Sequence, residues 1–124
     1  RRDWGHAKDY VEAMWKILQQ KKPDDFVIAT GKQFSIRQFV NLVSKKLNMD
    51  IHWKGRGINE VGYDKMSKKK IIFVDKNYIR PLDVNTLLGN AKKARKTLSW
   101  KPKIQINQLI DEMISEEIKT INAE

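Results

Sequence analysis

The chain has no cysteine. Disulfides, thiolate metal sites and cysteine nucleophiles lie outside its chemistry, and a reducing, cytoplasmic setting is expected. Histidine is scarce: His6 and His52 stand far apart, which is no metal-ligand spacing. Each is expected to be a surface or internally satisfied histidine. No stretch approaches the roughly eighteen apolar residues of a spanning helix, so no membrane segment is expected. Glycine is sparse, and three of the six fall in GRGINEVG as Gly55, Gly57 and Gly62. The dinucleotide fingerprint needs its third glycine three residues after the second, with a helix opening there. This loop has neither, so no cofactor-binding role is assigned to it. A Tyr-x-x-x-Lys pair is also missing: Tyr10, Tyr63 and Tyr78 are followed four on by Met14, Ser67 and Leu82. Neither a nucleophile elbow nor paired carboxylates stand out. The residues show no catalytic centre.

What is present is basic and apolar. The 124 residues suit one domain of ordinary size, and 40% are hydrophobic, so a core can form. Lys and Arg number 25 against 15 Asp and Glu, a net charge of +10. That excess suits a phosphorylated partner: nucleic acid, or a nucleotide or sugar diphosphate. A merely solvated lysine surface is the competing reading.

Periodicity predicts a helix over 6–20, with Tyr10, Met14, Ile17 and Leu18 on a core stripe widened by Val11 and Trp15. Pro23 ends it. FVIAT (26–30) has the composition of a strand. Ser35 with Gln38 has capping-box spacing before a helix carrying Ile36, Phe39, Val40, Val43 and Leu47. DIHW and IIFVD suggest short strands. Residues 54–70 are rich in glycine and lysine and are taken as a loop or lobe within the domain. Arg80 precedes Pro81, so KNYIRPLDV is expected to be extended. Asn90 is the N-cap expected for a short basic helix. Ile106, Leu109, Ile110, Met113, Ile114, Ile118 and Ile121 lie on one face of a closing helix. Helices alternating with few, short strands give an α/β class of mixed helices and strands. Trp15, Phe39 and Val43 are assigned to the core.

Phosphate recognition is the chemistry left open. Arginine binds phosphate bidentately and keeps its charge. Arg2, Arg56 and Arg80 are the candidates in irregular backbone. Asp83, close after Arg80, could hold a sugar hydroxyl, or could simply pair with Arg80 on the surface.

Several segments, in order, resemble one family: RRDWGHAKDYVEAMW, FVIATGKQFSIRQFV, WKGRGINEVG, VDKNYIRPLDVNTLLGNAKKARKTLSWKP and INQLIDEMI. They are similar to the C-terminal substrate domain of the GDP-mannose 4,6-dehydratases, which are extended short-chain dehydrogenase/reductases. The resemblance implies an α/β, Rossmann-type enzyme of which residues 1–124 form the single C-terminal substrate-binding domain. It implies a preceding N-terminal Rossmann domain, absent from this chain, that binds NADP and carries the catalytic residues. The activity implied is that of a lyase converting GDP-mannose to GDP-4-dehydro-6-deoxymannose and water, a precursor of GDP-fucose and GDP-rhamnose. A fragment of this kind is expected to be inactive alone, and the full enzyme to be a homo-oligomer. Residue by residue, the resemblance implies that Arg2 and Arg80 contact the nucleotide diphosphate region. Asp83 stands where the family has Glu or Asp and implies a contact to a nucleotide-sugar hydroxyl. No role carries over to Arg56. Trp4 would either buttress the Arg2 loop or face the Rossmann domain. Split from such a domain, the chain is expected to expose an apolar surface. The alternative, a basic nucleic-acid-binding module, rests on net charge alone, since no strand interleaves aromatics with cations as a stacking platform requires.

Overall fold

A computed structural model describes residues 1–123. They form α1 (Ala7–Leu18), α2 (Ile36–Lys46), β1 (Ile51–Lys54), β2 (Val61–Asp64), β3 (Lys70–Phe73), α3 (Lys92–Thr97) and α4 (Ile106–Ala123), a mixed α/β chain. Single 3-10 turns occur at Gly57–Asn59 and Lys76–Tyr78. No helix among the described residues is long and apolar enough to cross a membrane. The chain divides into two compact units, Arg1–Ile36 with Asn85–Glu124, and Arg37–Val84.

In the first unit α1 begins where His6 caps it. The His6 Nδ1 accepts the Lys8 N–H at 3.0 Å, so the neutral ring carries its proton on Nε2. That nitrogen lies 2.9 Å from Glu112 Oε2 and ties the start of α1 to α4. His6 is thus an internally satisfied histidine, as its isolation in the sequence suggested. The core gathers Ala13, Ala29, Ala91, Ala94, Leu98 and Trp100, with Tyr10, Ile17, Phe26 and Ile28 packed against it.

Two expectations are corrected here. The buried stripe of α1 is His6, Asp9, Tyr10, Ala13 and Ile17, while Val11, Met14 and Leu18 are exposed and Trp15 is 63% exposed. Trp15 is therefore not core. The helix approaches its neighbours through the small Ala13, and its bulkiest apolar residues form an outer face. FVIAT has Ala29 in the core but no ladder partner among the described residues. Its end is held instead by a side chain, Asp3. The closing helix runs through its whole predicted stripe, but the stripe is buried only in part: Ile110 is fully buried, whereas Met113, Ile118 and Ile121 are exposed. An exposed apolar surface is thus present on both α1 and α4. The N-cap of α3 falls at Ala91, one residue after the expected Asn90, whose Oδ1 accepts the Lys92 N–H at 3.1 Å.

The α1–α4 link carries a pH dependence. The Lys8 ammonium, and then His6, hold the Glu112 carboxyl below its ordinary value of 4.5. A carboxyl lowered on folding contributes stability above its unfolded value and loses it as pH falls through the folded one. The denaturation midpoint is expected to fall between about pH 6 and pH 3, and Glu112→Gln to flatten that dependence. Identical profiles for the two proteins would remove Glu112 from the account.

The second unit is α2 with an antiparallel sheet of order β1-β2-β3. Ile51 pairs with Asp64 and Lys54 with Val61, and a bulge between Gly62 and Tyr63 shifts the register with β3. On β1, Ile51 and Trp53 are half-buried and His52 and Lys54 exposed. Residues 54–70, expected as a loop or lobe, contain β2 in their middle. Gly62 breaks the apolar alternation that marks a strand; a Cβ at its buried position would lie 3.1–3.3 Å from Ile51, Trp53 and Ile72, tight enough that a neighbour would have to shift. KNYIRPLDV is likewise less extended than expected, with a 3-10 turn at Lys76–Tyr78 and a further turn at Pro81–Leu82.

Candidate functional site

Each proposed contact residue is placed by backbone geometry within its own unit. In the first unit Arg2 pairs with Phe34 in an antiparallel bridge, both N–H···O bonds being 3.0 Å. The bridge fixes the Arg2 backbone, and its half-buried side chain donates from Nη1 to the Arg1 carbonyl at 2.9 Å. The next residue, Asp3, acts as a clamp. Its Oδ1 accepts the Thr30 N–H at 3.1 Å and hydroxyl at 2.5 Å, and its Oδ2 accepts the Gly31 N–H at 2.7 Å. Gly31 has φ +80°, a left-handed turn that glycine adopts without strain. The Arg-Asp pair therefore divides its work: Asp3 closes the Thr-Gly turn and Arg2 is held beside it.

In the second unit Arg80 and Asp83 are brought together by one turn. The Asp83 N–H donates to the Arg80 carbonyl at 3.1 Å, with Pro81 at the second position, where its fixed φ suits a turn. Both side chains are exposed, and Leu82 at the turn's tip is 96% exposed. Tyr78 and Val84 on either side are exposed too. An arginine, a carboxylate and apolar surface thus share one short projecting segment.

Sequence reasoning missed a second device of this unit. The Arg37 guanidinium donates to Glu60 Oε1 from Nε at 2.8 Å and lies 2.6 Å from it through Nη2. The same guanidinium sits 5.2 Å from the Trp53 ring centroid, and the Trp53 indole N–H donates to Asn41 Oδ1 at 2.9 Å. Gly55, with φ +80°, closes the loop, because a Cβ there would overlap the Asn59 carbonyl. The glycines of GRGINEVG therefore make a pinned turn rather than a phosphate cradle. Arg56 is exposed and precedes the 3-10 turn, its carbonyl accepting the Asn59 N–H. The sequence signal was present in the spacing of Arg37 and Glu60, but nothing in the one-dimensional pattern pairs them.

No arrangement among these residues resembles a proton-transfer centre. Tyr10 is half-buried, and burial, then Asp3 and Asp9, push its hydroxyl up. Its phenol stays protonated at neutral pH, the opposite of an activated tyrosine.

Residues 1–113 match the family model described as GDP-mannose 4,6 dehydratase. The chain is 53% identical over 123 residues to "GDP-mannose 4,6 dehydratase 2" of Caenorhabditis elegans, covering 99% of this chain and 32% of that protein. It is 47% identical over 121 residues to the GDP-mannose 4,6 dehydratase of Dictyostelium discoideum, covering 98% and 34%. Against the GDP-mannose 4,6-dehydratase of Vibrio cholerae identity is 43% over 128 residues, covering 95% and 34%. The chain thus spans about a third of the length of the curated relatives it matches.

Proposed function

The chain belongs to the GDP-mannose 4,6-dehydratase family, and we propose that it is the C-terminal, GDP-sugar-binding part of such an enzyme. The observation that carries this is the Arg80–Asp83 turn, which presents a guanidinium, a carboxylate and apolar surface on one exposed segment. Arg80 supplies a fixed positive charge for a diphosphate, and Asp83 accepts from a sugar or ribose hydroxyl. Arg2, held by its bridge to Phe34, is a further phosphate contact of the first unit. The proposed reaction converts GDP-mannose to GDP-4-dehydro-6-deoxymannose and water in the cytoplasm, within a homo-oligomer. Its hydride chemistry belongs to NADP on a Rossmann domain outside these 124 residues. The chain contributes binding and orientation and no reacting group. The excess of positive charge goes to phosphate recognition and solvated surface, and no relative named above supports a nucleic-acid module.

A chimera tests this reading. The 124 residues replace the 123 they align with in the Caenorhabditis relative. The chimera is expected to dehydrate GDP-mannose with NADP, and the 124 residues alone to give no turnover. Arg80→Ala in the chimera is expected to weaken GDP-mannose binding by about 1.5–3 kcal/mol, the range of a hydrogen bond to a charged group. Titration calorimetry reads it, and an unchanged affinity removes Arg80 from the site.

A further inference from the structure

The turn that joins β2 to β3 has no part in the reading above. It runs through Lys65, Met66, Ser67, Lys68 and Lys69, and Lys70 opens β3. All six residues are exposed, Met66 by 86%. The turn is pinned on both sides. The Lys65 N–H donates to the Asp50 carbonyl at 2.8 Å, and the Lys68 N–H to the Asp64 carbonyl at 2.9 Å. Asp64 Oδ2 also accepts the Ser67 N–H at 2.8 Å. Met66 therefore projects from a fixed tip.

Lysines surround that tip, and little offsets them. Asp50 meets Lys65 Nζ at 3.0 Å, and Asp64 is occupied by the turn's own amides. Lys54, Lys68, Lys69 and Lys70 have no ion pair among the described residues. Neighbouring like charges repel, and an anionic partner relieves that repulsion. The shape of the patch then selects the partner. A nucleic-acid strand stacks its bases on open aromatic faces. Here each exposed-side ring already carries a cation: Lys54 Nζ lies 5.8 Å from the Tyr63 centroid, and Lys70 Nζ 5.0 Å from that of Phe73. An acidic peptide would add to the open edge of β3, where the bulge breaks the regular pairing pattern. A bilayer surface asks for neither an open ring nor an edge. It takes cations at the level of the headgroups and an apolar side chain in the layer beneath them. An apolar apex ringed by lysines has that arrangement.

We propose that the β2–β3 turn docks on an anionic lipid surface, with Lys65, Lys68, Lys69 and Lys70 at the headgroups and Met66 inserted between them. Such a contact is peripheral and needs no spanning helix. It uses no residue assigned above to the sugar nucleotide.

The test sediments the 124-residue chain with sucrose-loaded vesicles. Vesicles of phosphatidylcholine with about 30% phosphatidylserine should carry it down at about 0.1 M salt, and phosphatidylcholine alone should not. Raising the salt to about 0.5 M should release it. Lys68→Gln with Lys69→Gln and Lys70→Gln should lower the partition coefficient about a hundredfold, or about fivefold for each lysine. Lys21→Gln with Lys22→Gln and Lys96→Gln removes three exposed lysines of the first unit. It should change the coefficient by less than about threefold. Met66→Asn should lower it about threefold or more. Met66→Trp should raise it, a gain that a folding defect does not produce. Four results each overturn the proposal: equal binding to the two kinds of vesicle, equal loss in the two triple variants, unchanged binding in both Met66 variants, or tighter binding to oligouridylate than to the anionic vesicles with the same dependence on Lys68, Lys69 and Lys70. The last would make the patch a nucleic-acid contact instead.

Discussion

Trp100→Ala is expected to cost the first unit about 3–5 kcal/mol, a large part of the roughly 5–15 kcal/mol that holds a domain folded. Trp100 is 1% exposed and fills the centre of a core otherwise built from Ala13, Ala29, Ala91, Ala94 and Leu98. Four of those five neighbours are alanines, which have no side chain to swing into the space left behind. The cavity would therefore stay open, and cavity volume is what takes such substitutions toward the upper end of their range. The indole N–H also donates to the Asp9 carbonyl at 2.8 Å, a buried hydrogen bond that the substitution removes. Trp15→Ala is the internal control. That residue is 63% exposed on the outer face of α1, and its loss is expected to cost less than about 1 kcal/mol. Denaturant midpoints by far-UV circular dichroism compare the two. Equal losses would mean that the core has been placed on the wrong face of α1.

That contrast shows what a linear sequence conveys. Periodicity located α1, α2 and α4, which carry apolar stripes, while the short basic α3 was located from its cap signal and its stop. It misjudged which side of α1 faces inward. Hydrophobicity ranks Trp15 and Met14 above Ala13, but close approach to Ala94 and Trp100 selects the small residue. FVIAT reads as a strand from composition, yet a strand needs a partner, and pairing is not encoded locally. β2 was hidden for the converse reason: Gly62 interrupts the pattern while the backbone still pairs on both sides. Arg2, Arg80 and Asp83 were legible as residue types in constrained backbone next to proline or a helix start. The turn bond from Asp83 to Arg80 follows from Pro81 and was within reach of sequence reasoning. Asp3 and Asp9 were not. Their partners lie 27 and 94 residues away, at Thr30 and Lys103, and only the fold makes them clamps.

Asp9 is the second large effect. It is 3% exposed on the inner face of α1, and its Oδ2 accepts two backbone amides, Lys103 at 3.0 Å and Ile104 at 2.9 Å. One oxygen thereby holds the segment that leads from Trp100 into α4. Asp9→Ala removes both bonds and strands two part-buried N–H groups at about 1–3 kcal/mol each, so a loss of roughly 2–5 kcal/mol is expected. Asp9→Asn separates charge from geometry. A single amide oxygen can still reach both N–H groups, but a neutral acceptor makes bonds about half as strong. The expected order of stability is wild type, then Asn, then Ala, read from urea midpoints. An Asn variant as weak as the Ala variant would show that the negative charge, not the acceptor position, carries the contact.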